Sequence, residues 1–375
     1  MKKLVLIGGG HAHVEVLRQF GLRKHSGVEV TLVSPDRHTP YSGMLPGLVA
    51  GHYSFDESHI DLPPLADYAG ARVVLAQAVR LDAARRVLTL SNGDAIAYDI
   101  ASINVGSTPI TGSVAGAAQH ALMIKPVAEF LTNWATLVER VRVGAVKSVA
   151  VVGGGAAGVE ILLAMHYRFA QMTPHRKVQC ILLTDAPEVL AQHATAVRKQ
   201  LVRNLARKGI AVHCATRVAR VEAGALTADG VEQRVSADAI IWVTGAAPPA
   251  WLESSGLALN DRKFIDINQY LQSTSQAEVF AAGDCSTIAG VAYPKSGVYA
   301  VRQGPVLAEN LRRALSVEAL LAYTPQKRAL ALISTGERHA IASWGPLSVH
   351  GNWVWQWKDR IDQAFIAKYR NLNPL

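Results

Sequence analysis

Two stretches of the chain repeat one pattern of apolar and polar positions. In the first, the apolar run 4–7 enters a glycine-rich turn, apolar residues then recur three and four apart, and a second apolar run covers 28–33. In the second, the runs 149–152 and 178–183 flank the same succession of turn and periodic segment. Short apolar runs favour buried strands, and a spacing of three and four favours a helix. Each stretch therefore predicts a strand–turn–helix–strand unit, and two copies predict two nucleotide-binding domains.

The segments between and after these units predict further elements. Alternating residues over 71–90 and the Asn-Gly dipeptide at 92–93 favour strands with a hairpin turn. A helical pattern after the Lys-Pro dipeptide at 125–126 is expected to link the domains. Four of the seven tryptophans lie between residues 344 and 357. We predict an α/β protein with two Rossmann-like three-layer dinucleotide-binding domains, the second inserted into the first or following it, and a C-terminal α+β segment.

Both turns have the glycine spacing of a dinucleotide-binding loop. The second turn carries Gly153, Gly155 and Gly158, and the first carries Gly8 and Gly10 with His13 in the third position. The first glycine makes the bend, the second lets the backbone approach a pyrophosphate, and the third lets the helix pack on the strand. Free N–H groups at the helix start then bind the phosphates. One such turn is weak evidence, but each copy stands between a predicted strand and a predicted helix.

The end of the second strand in each unit bears on which nucleotide binds. An acidic residue about 20 positions after the turn would accept hydrogen bonds from ribose hydroxyls. Ser34 stands there in the first unit, with Asp36 or Arg37 as its substitute. Thr184 stands there in the second unit, and Asp185 follows it. No arginine comes directly afterwards to bind a 2′-phosphate, so the second unit favours NADH over NADPH.

A third apolar strand, 279–282, ends in Gly283 and Asp284. An aspartate in that place accepts hydrogen bonds from the hydroxyls of a polyol chain. The alternative is a simple turn, because glycine and aspartate are both common in turns.

Composition narrows the class of protein. The 375 residues are 50% hydrophobic and 18% charged, which excludes a disordered chain. Three cysteines without a CxxC pair exclude a disulfide scaffold and fit a reducing cytoplasm. The net charge of +9 favours anionic partners, although a scattered positive surface explains it equally. No basic run indicates nucleic acid, and no apolar stretch approaches the roughly 18 residues of a membrane span.

The order and spacing of five motifs resemble those of one family. The motifs are GGGHAH at 8–13, NVGS at 104–107, GGGAAGVE at 153–160, VTG at 243–245 and FAAGD at 280–284. Over nearly its whole length the chain is similar to two-domain flavoproteins of the pyridine nucleotide-disulfide oxidoreductase superfamily. Within that superfamily it resembles type II NADH dehydrogenases. Through segments 38–51, 293–305 and 357–365 it looks most like the flavoprotein domain sometimes fused to selenophosphate synthetase.

The resemblance implies FAD as cofactor and NADH or NADPH as co-substrate. No metal is expected, because the sequence has no His/Cys cluster at metal-ligand spacing. FAD would bind a domain formed by 1–110 and 246–325, and the nicotinamide nucleotide would bind 111–245. Residues 326–375 would form a C-terminal segment that serves as a dimer or membrane-surface element.

The resemblance also assigns residues to each nucleotide. The residues implied at FAD are Gly8, Gly10, His11, Ala12, Ser34, Pro35, Asp36, Arg37, Thr39, Leu45, Val79, Gly106, Ser107, Gly283, Asp284, Lys295, Ser296, Gly297 and Val298. Those implied at the nicotinamide nucleotide are Gly153, Gly155, Gly158, Glu160, Thr184, Asp185 and Gly245. Asp284 would bind the ribityl chain, and residues 40–46 would run beside the isoalloxazine. The helix start at 295–298 would face the pyrimidine end, where its dipole stabilises negative charge.

Three residues are candidates for a catalytic role. Lys295 would stabilise charge near flavin N1 and O2. Glu160 would lie near the nicotinamide, unless it only complements the dipole of its helix. Lys125 would lie at the flavin edge, unless it only precedes a helix. The implied reaction is hydride transfer from nicotinamide to flavin, followed by transfer of two electrons to an acceptor.

The sequence leaves the acceptor open. Cys285 stands alone, which argues against the dithiol relay of glutathione or thioredoxin reductases. A quinone is favoured, but Val298 and Arg302 hold the places of two family glutamines, which leaves Tyr299 and Gln303 to offer hydrogen bonds. One alternative is a soluble flavin reductase for a selenium compound or another small oxidant. The other is an NADH-responsive flavoprotein that acts through partner binding.

The C-terminal segment predicts an amphipathic helix. Apolar residues from Trp353 to Leu372 recur on roughly one face, with Lys358, Arg360 and Lys368 around it. Such a helix suits a membrane surface with tryptophan anchors, and packing on the first domain or on a second subunit is the alternative. We expect a cytoplasmic protein with no nucleic-acid partner. Peripheral association with the inner face of the membrane and a homodimer remain open.

Overall fold

The computed structural model describes residues 1–111, 114–229, 234–291, 293–326 and 328–372. These ranges contain ten α-helices and two five-stranded parallel sheets, together with smaller sheets. The helices are α1 (His11–Leu22), α2 (Leu45–Ala50), α3 (Phe55–Ser58), α4 (Leu62–Ala69), α5 (Ala117–His120), α6 (Val127–Arg142), α7 (Ala156–Met172), α8 (Thr195–Arg207), α9 (Gly297–Ser316) and α10 (Asn352–Arg370). Helix α6 begins directly after the Lys-Pro dipeptide, as predicted.

The first sheet joins distant parts of the chain. In spatial order its strands are Val279–Ala281, Ile100–Ile103, Lys2–Ile7, Val28–Ser34 and Ala71–Leu75. In this sheet the strand Val279–Ala281 pairs with the strand Ile100–Ile103, which lies far from it in sequence. The predicted discontinuity of the first α/β unit is therefore confirmed. The domain boundaries given above stay predictions.

The second sheet repeats this arrangement. In spatial order its strands are Leu122–Met123, Ala239–Trp242, Ser148–Val152, Gln179–Leu183 and Ala211–His213. In both sheets the strand that leads into the glycine turn is the central one. Each turn therefore leaves the carboxyl end of a central parallel strand, which is where open α/β sheets bind ligands.

Smaller sheets complete the described fold. Their strands are Ala78–Asp82, Val87–Leu90 and Ala95–Ala97; Val218–Glu222, Ala225–Ala228 and Arg234–Ser236; Ala331–Ser334, Ala340–Trp344 and Leu347–Gly351; and the pairs His38–Pro40 with His59–Asp61 and Ile265–Ile267 with Ser286–Ile288. The hairpin turn at 92–93 is confirmed. The segment 71–90, predicted as alternating strands, contains strands of two different sheets. Residues 71–75 form a parallel edge strand of the first sheet, and the strands after them belong to a smaller sheet. Period-two alternation does not distinguish parallel from antiparallel pairing.

The C-terminal segment is an antiparallel sheet followed by α10, in agreement with the predicted α+β segment. One face of α10 is buried against the protein through residues such as Val354 and Ile366. Another face leaves Trp353, Trp357 and Ile361 exposed by 54%, 39% and 43%. Helix α10 therefore packs on the rest of the chain and also presents apolar residues outward. No helix in the described ranges has both the length and the apolar character needed to cross a membrane.

A buried carboxylate connects α10 to α1. Glu15 is 2% exposed and accepts a hydrogen bond from the Tyr369 hydroxyl at 2.9 Å. Lys368 Nζ lies 2.6 Å from the same carboxylate, and Gln19 Nε2 donates to it at 2.8 Å. A buried charge is tolerated only when it is paired and hydrogen-bonded. The contacts from Tyr369 and Lys368 therefore hold the two helices together, and Gln19 supports the carboxylate from within α1.

We expect Glu15→Ala to lower the free energy of unfolding by about 2 kcal/mol, because the buried Tyr369 hydroxyl loses its partner. Chemical denaturation measures this change. Glu139→Ala is the control, since Glu139 is an exposed helical glutamate that pairs with Arg142 at the surface. Equal, near-zero changes in both variants would contradict the role given to Glu15.

Candidate functional site

The first glycine turn is held in place by Asn104. The Ala12 N–H donates to Asn104 Oδ1 at 3.0 Å, and Asn104 Nδ2 donates to Ala282 O at 2.7 Å. A Cβ atom at Gly10 would lie 2.2 Å from Asn104 Oδ1, and one at Gly8 would lie 2.6 Å from Asn104 O. Both glycines are therefore required by close approach of the neighbouring strand end. Sequence reasoning missed the role of Asn104, although this residue opens the NVGS motif at 104–107.

His13 replaces the third glycine of the pattern for a structural reason. Its ring is buried, with Nδ1 2.6 Å from Gly8 O and Nε2 2.8 Å from Ser102 Oγ. Burial lowers the pKa of His13 to about 4, so the ring is neutral near pH 7. A neutral imidazole donates from one nitrogen and accepts at the other. His13 thus joins the turn to the adjacent strand without a buried charge.

One ring nitrogen of His11, at the start of α1, lacks a hydrogen-bond partner in the described ranges. Its Nε2 is buried and has no partner within the part of the chain that the structure describes. Its ring makes edge contacts with Tyr41 and Phe365, at centroid distances of 5.5 and 5.9 Å. Burial lowers the pKa of His11 to about 4, although the Asp284 carboxylate opposes this. A buried atom of this kind at a helix N-terminus fits a bound dinucleotide, which would supply the missing partner.

Three predicted residues from separate segments meet beside this turn. Lys125 Nζ lies 3.0 Å from Asp284 Oδ2 and 3.0 Å from Ser107 Oγ, and Ser107 Oγ donates to Asp284 Oδ2 at 3.3 Å. Gly283 has a φ of +74°, and its N–H donates to Gln303 Oε1 at 2.7 Å. The aspartate is held by an ammonium group and a hydroxyl, and this arrangement suits recognition of a polyol chain.

The start of α9 lies next to the first turn, as the resemblance implies. A Cβ atom at Gly297 would lie 2.9 Å from Ser42 Oγ and 3.8 Å from His11 Cε1. Ser296 is the N-cap residue, and its side chain makes no capping hydrogen bond. The N–H groups of this helix end therefore face the same region as His11, and they favour a negative charge there.

Lys295 makes its contacts inside its own domain. Its Nζ donates to Thr287 Oγ1 at 2.7 Å and also contacts Ser286 O. The ammonium lies 4.1 Å from the centre of the Phe264 ring. Burial lowers the pKa of Lys295 to about 8, although the Asp284 carboxylate partly offsets this. Its predicted action on the flavin stays a prediction.

The second glycine turn has three crowded glycines, Gly153, Gly154 and Gly158, and one open glycine, Gly155. A Cβ atom at Gly153 would lie 2.5 Å from Val243 O, and one at Gly158 would lie 1.9 Å from Gly153 O. A Cβ atom at Gly155 would meet no other atom within 4 Å. Gly153 and Gly158 are thus required by the fold, whereas Gly155 leaves space in front of α7.

The predicted ribose-binding positions differ between the two units. Ser34 Oγ donates to the backbone carbonyl of Asp36 at 2.8 Å, and Arg37 forms two 3.0 Å hydrogen bonds with Asp61. Thr184 is buried beneath the second turn. The other predicted positions lie as follows: Pro35 and Asp185 are exposed, Thr39 is in the strand His38–Pro40, Leu45 opens α2, Val79 is in Ala78–Asp82, Gly106 precedes Ser107, Val298 is in the first turn of α9, and Gly245 follows the strand Ala239–Trp242. Their contacts with nucleotides stay predictions.

Glu160 connects the second domain to the C-terminal segment. The Ser334 N–H donates to Glu160 Oε1 at 2.8 Å. Burial raises the pKa of Glu160 to about 7, although the Lys358 ammonium opposes this. Lys358 Nζ donates to Gly43 O and to Asp362 Oδ2, each at 2.5 Å. Sequence reasoning missed Lys358 and Asp362 as site residues, and their spacing of four on one helix was the available signal.

An aromatic pair lies between these charges and the first turn. The rings of Tyr41 and Phe365 stack with centroids 4.1 Å apart and an interplanar angle of 21°. Burial, with the Asp362 carboxylate nearby, raises the pKa of Tyr41. Tyr41 belongs to the segment predicted beside the isoalloxazine, and Phe365 comes from α10. Residues more than 300 positions apart thus form one wall of the site.

Comparisons with known proteins agree with this geometry. The NADH dehydrogenase-like protein YutJ of Bacillus subtilis is 24% identical over 335 residues, which cover 87% of each chain. The type II NADH:quinone oxidoreductase of Staphylococcus aureus is 23% identical over 343 residues, or 85% of this chain and 84% of the relative.

Solved structures show the same fold. The sulfide:quinone oxidoreductase of Aquifex aeolicus has a TM-score of 0.82 at 20% identity, covering 100% of this chain and 92% of the other. NDH2 of Plasmodium falciparum in complex with NADH has a TM-score of 0.81 at 14% identity, covering 100% and 99%. The sequence pattern of the family described as "Pyridine nucleotide-disulphide oxidoreductase" matches residues 2–304. The chain therefore belongs to the pyridine nucleotide-disulphide oxidoreductase family, and it is an oxidoreductase that works with FAD and a nicotinamide nucleotide.

Proposed function

We propose that the protein transfers electrons from NADH to a quinone. The observation that carries the proposal is the wall formed by Tyr41 and Phe365 beside His11 and the start of α9. This wall presents flat aromatic side chains and contains no cysteine. The relative from Staphylococcus aureus is named for the same activity.

The two glycine turns and their surroundings would hold the nucleotides. When bound, FAD would supply a flavin ring for hydride transfer from the nicotinamide nucleotide and for passing two electrons to the acceptor. The first turn and the start of α1 would bind its pyrophosphate, with His11 Nε2 completing the contact. The carboxylate of Asp284, oriented by Lys125 and Ser107, would accept hydrogen bonds from its ribityl hydroxyls. The space at Gly155 would admit the pyrophosphate of NADH.

The state of the cysteines supports an acceptor other than a thiol. Burial raises the pKa of Cys180 to about 12 and that of Cys285 to about 11. A thiol acts as a nucleophile or redox centre in its ionised form, so these two groups are held in the unreactive state. All three cysteines, including Cys214, are free rather than paired.

We assign proton handling to Glu160. Reduction of a quinone to a quinol consumes two protons as well as two electrons. A carboxyl group with a pKa near 7 exchanges its proton readily at neutral pH. Ser334 fixes one oxygen of the carboxyl group and leaves the other to exchange the proton. The Lys358 ammonium would balance the negative charge of Glu160 as it ionises, whereas the Asp362 carboxylate opposes that ionisation.

Tyr299 and Gln303, which the sequence offers as quinone ligands, are both buried in the protein. Gln303 is fully buried and its Oε1 accepts the Gly283 N–H. Tyr299 is buried with its ring 5.0 Å from that of Tyr293. We therefore place the acceptor at the pair of Tyr41 and Phe365.

We further propose that the exposed apolar face of α10 rests on a membrane surface. Trp353, Trp357 and Ile361 lie at intervals of four on this helix and are all exposed. Tryptophan is favoured at the boundary between lipid and water. A quinone dissolved in the lipid would then reach the protein from the side of α10, which also carries Phe365.

Reoxidation of the NADH-reduced protein by a short-chain, water-soluble quinone tests the acceptor. We expect Phe365→Ala to slow reoxidation by about tenfold while reduction by NADH keeps its rate, because the variant removes half of the aromatic wall. Trp353→Ala is the control, since this side chain is on the same helix but faces solvent. Failure of any quinone to reoxidise the wild-type protein would contradict the proposal, and reoxidation by another small oxidant would then identify the acceptor class.

A further inference from the structure

A cavity lies between α8 and the C-terminal sheet, and no residue of either glycine turn lines it. Its volume is about 890 Å³. Arg203, Asn204 and Arg207 line it from α8, and Arg338 and His350 line it from the sheet. None of its lining residues is among those assigned to FAD or to the nicotinamide nucleotide. The cavity is therefore separate from the site described above.

Cationic groups converge on this cavity. Arg203 and Arg207 lie one turn apart on α8. Arg338, in the turn between two C-terminal strands, also lines the cavity, and its guanidinium group lies 5.4 Å from the centre of the Trp355 ring. These three guanidinium groups form no ion pair within the described ranges. The carboxylate of Glu337 also lies at the cavity, but it pairs with Lys208. The cluster therefore has positive charge that no nearby carboxylate offsets.

The side chains of His339 and His350 and the N-terminus of α10 add hydrogen-bond donors. His350 Nδ1 lies 3.4 Å from His339 Nε2, and Thr335 Oγ1 lies 2.9 Å from His339 Nδ1. Asn352, the first residue of α10, also lines the cavity, and no side chain caps this helix end. The N-terminus of α10, a helix of 19 residues, favours an anion in front of it.

The wall also contains a buried group that lacks a partner. Asn204 is 4% exposed, and its Oδ1 has no hydrogen-bond partner among the described residues. A buried polar atom of this kind is usually satisfied in the functional state. Because Oδ1 is an acceptor, an ordered water or a protonated phosphate oxygen would supply the donor that it lacks.

We propose that this cavity binds a phosphate-bearing anion. Guanidinium groups match phosphate oxygens in charge and in planar, two-pronged geometry, and they favour phosphate over a spherical anion. The space accommodates a group as large as a diphosphate. A free diphosphate and the headgroup of an acidic phospholipid share this chemistry. The proposal stands independently of the identity of the electron acceptor.

Calorimetric titration of the FAD-loaded protein with inorganic pyrophosphate tests the proposal, with NAD⁺ at saturation to occupy the second glycine turn. We expect the double variant Arg203→Ala/Arg207→Ala to bind pyrophosphate about a hundredfold more weakly, because two charge-assisted hydrogen-bonding groups are lost. Arg140→Ala is the control, since Arg140 lies in the last turn of a different helix, as Arg207 does. All three substituted positions are exposed, and thermal unfolding without pyrophosphate checks that the folds agree.

A second arm distinguishes the two sources of phosphate. Flotation with phosphatidylglycerol vesicles, compared with phosphatidylcholine vesicles, measures headgroup binding by the same variants. Loss of pyrophosphate binding in the double variant supports a soluble ligand, and loss of phosphatidylglycerol binding alone supports a lipid headgroup. If the double variant matches the wild-type protein in both arms, or if the wild-type protein binds neither probe, the proposal is overturned.

Discussion

Gly155→Val is expected to lower kcat/KM for NADH by about a hundredfold while the protein keeps its fold and its FAD. Among the described glycines, Gly155 alone combines a negative φ with open space at the Cβ position. Its φ is −75° and its ψ is 177°, a conformation that valine adopts readily. The fold thus supplies no reason for glycine at this position. The remaining reason is the ligand, because a side chain there would fill the space that the pyrophosphate enters.

Steady-state oxidation of NADH with ferricyanide measures this loss, and flavin absorbance together with thermal unfolding confirms that the variant is intact. Ala128→Val is the matched control, since Ala128 is an exposed residue in the first turn of another helix of the same domain. A folded, flavin-loaded Gly155→Val protein with wild-type kcat/KM would show that NADH does not approach this turn.

Glu160→Gln is expected to slow reoxidation by quinone about a hundredfold near neutral pH, whereas reduction by NADH changes little. Glutamine keeps the shape of the side chain and still accepts the Ser334 N–H, but it neither takes up nor releases a proton. The wild-type rate should change with pH around the pKa of Glu160, about 7, and the variant should lack this change. Rapid-mixing measurements from pH 5.5 to pH 8.5 record both profiles. A Glu160→Gln protein that retains the wild-type profile would remove Glu160 from the proton path.

The same carboxyl group should also affect stability. Its pKa is raised in the folded protein from 4.5 to about 7, so folding favours the protonated form. Glu160 therefore stabilises the folded protein below about pH 4.5, and this stabilisation is lost as the pH rises through 7. The Glu160→Gln variant should show no such loss of stability. Urea denaturation at several pH values compares the two proteins, with the exposed Glu129→Gln as control. Parallel pH dependence of wild type and Glu160→Gln would contradict a raised pKa.

Local sequence pattern predicted the elements that build the site. A buried parallel strand followed by a glycine turn and a periodic helix has a short-range signature, and both copies are present at the expected places. The spacing also showed that His13 departs from the glycine pattern. It did not show why, because the reason is a hydrogen bond to Ser102, which lies 89 positions away.

The features missed by sequence reasoning depend on long-range contacts. Asn104 closes the first turn only because its strand lies next to the central strand of the sheet. Lys358, Asp362 and Phe365 reach the site only because α10 folds back onto the first domain. No periodicity along the chain encodes that return. The helical spacing of α10 predicts its apolar faces, but it does not indicate which face is buried.

The most direct test of the account is an anaerobic titration of the purified, FAD-loaded protein with NADH and, separately, with NADPH. We expect about one equivalent of NADH to bleach the flavin absorbance, NADPH to do so less readily, and a short-chain quinone to restore the colour. A protein that binds no flavin, or whose flavin neither nucleotide reduces, would contradict the central claim.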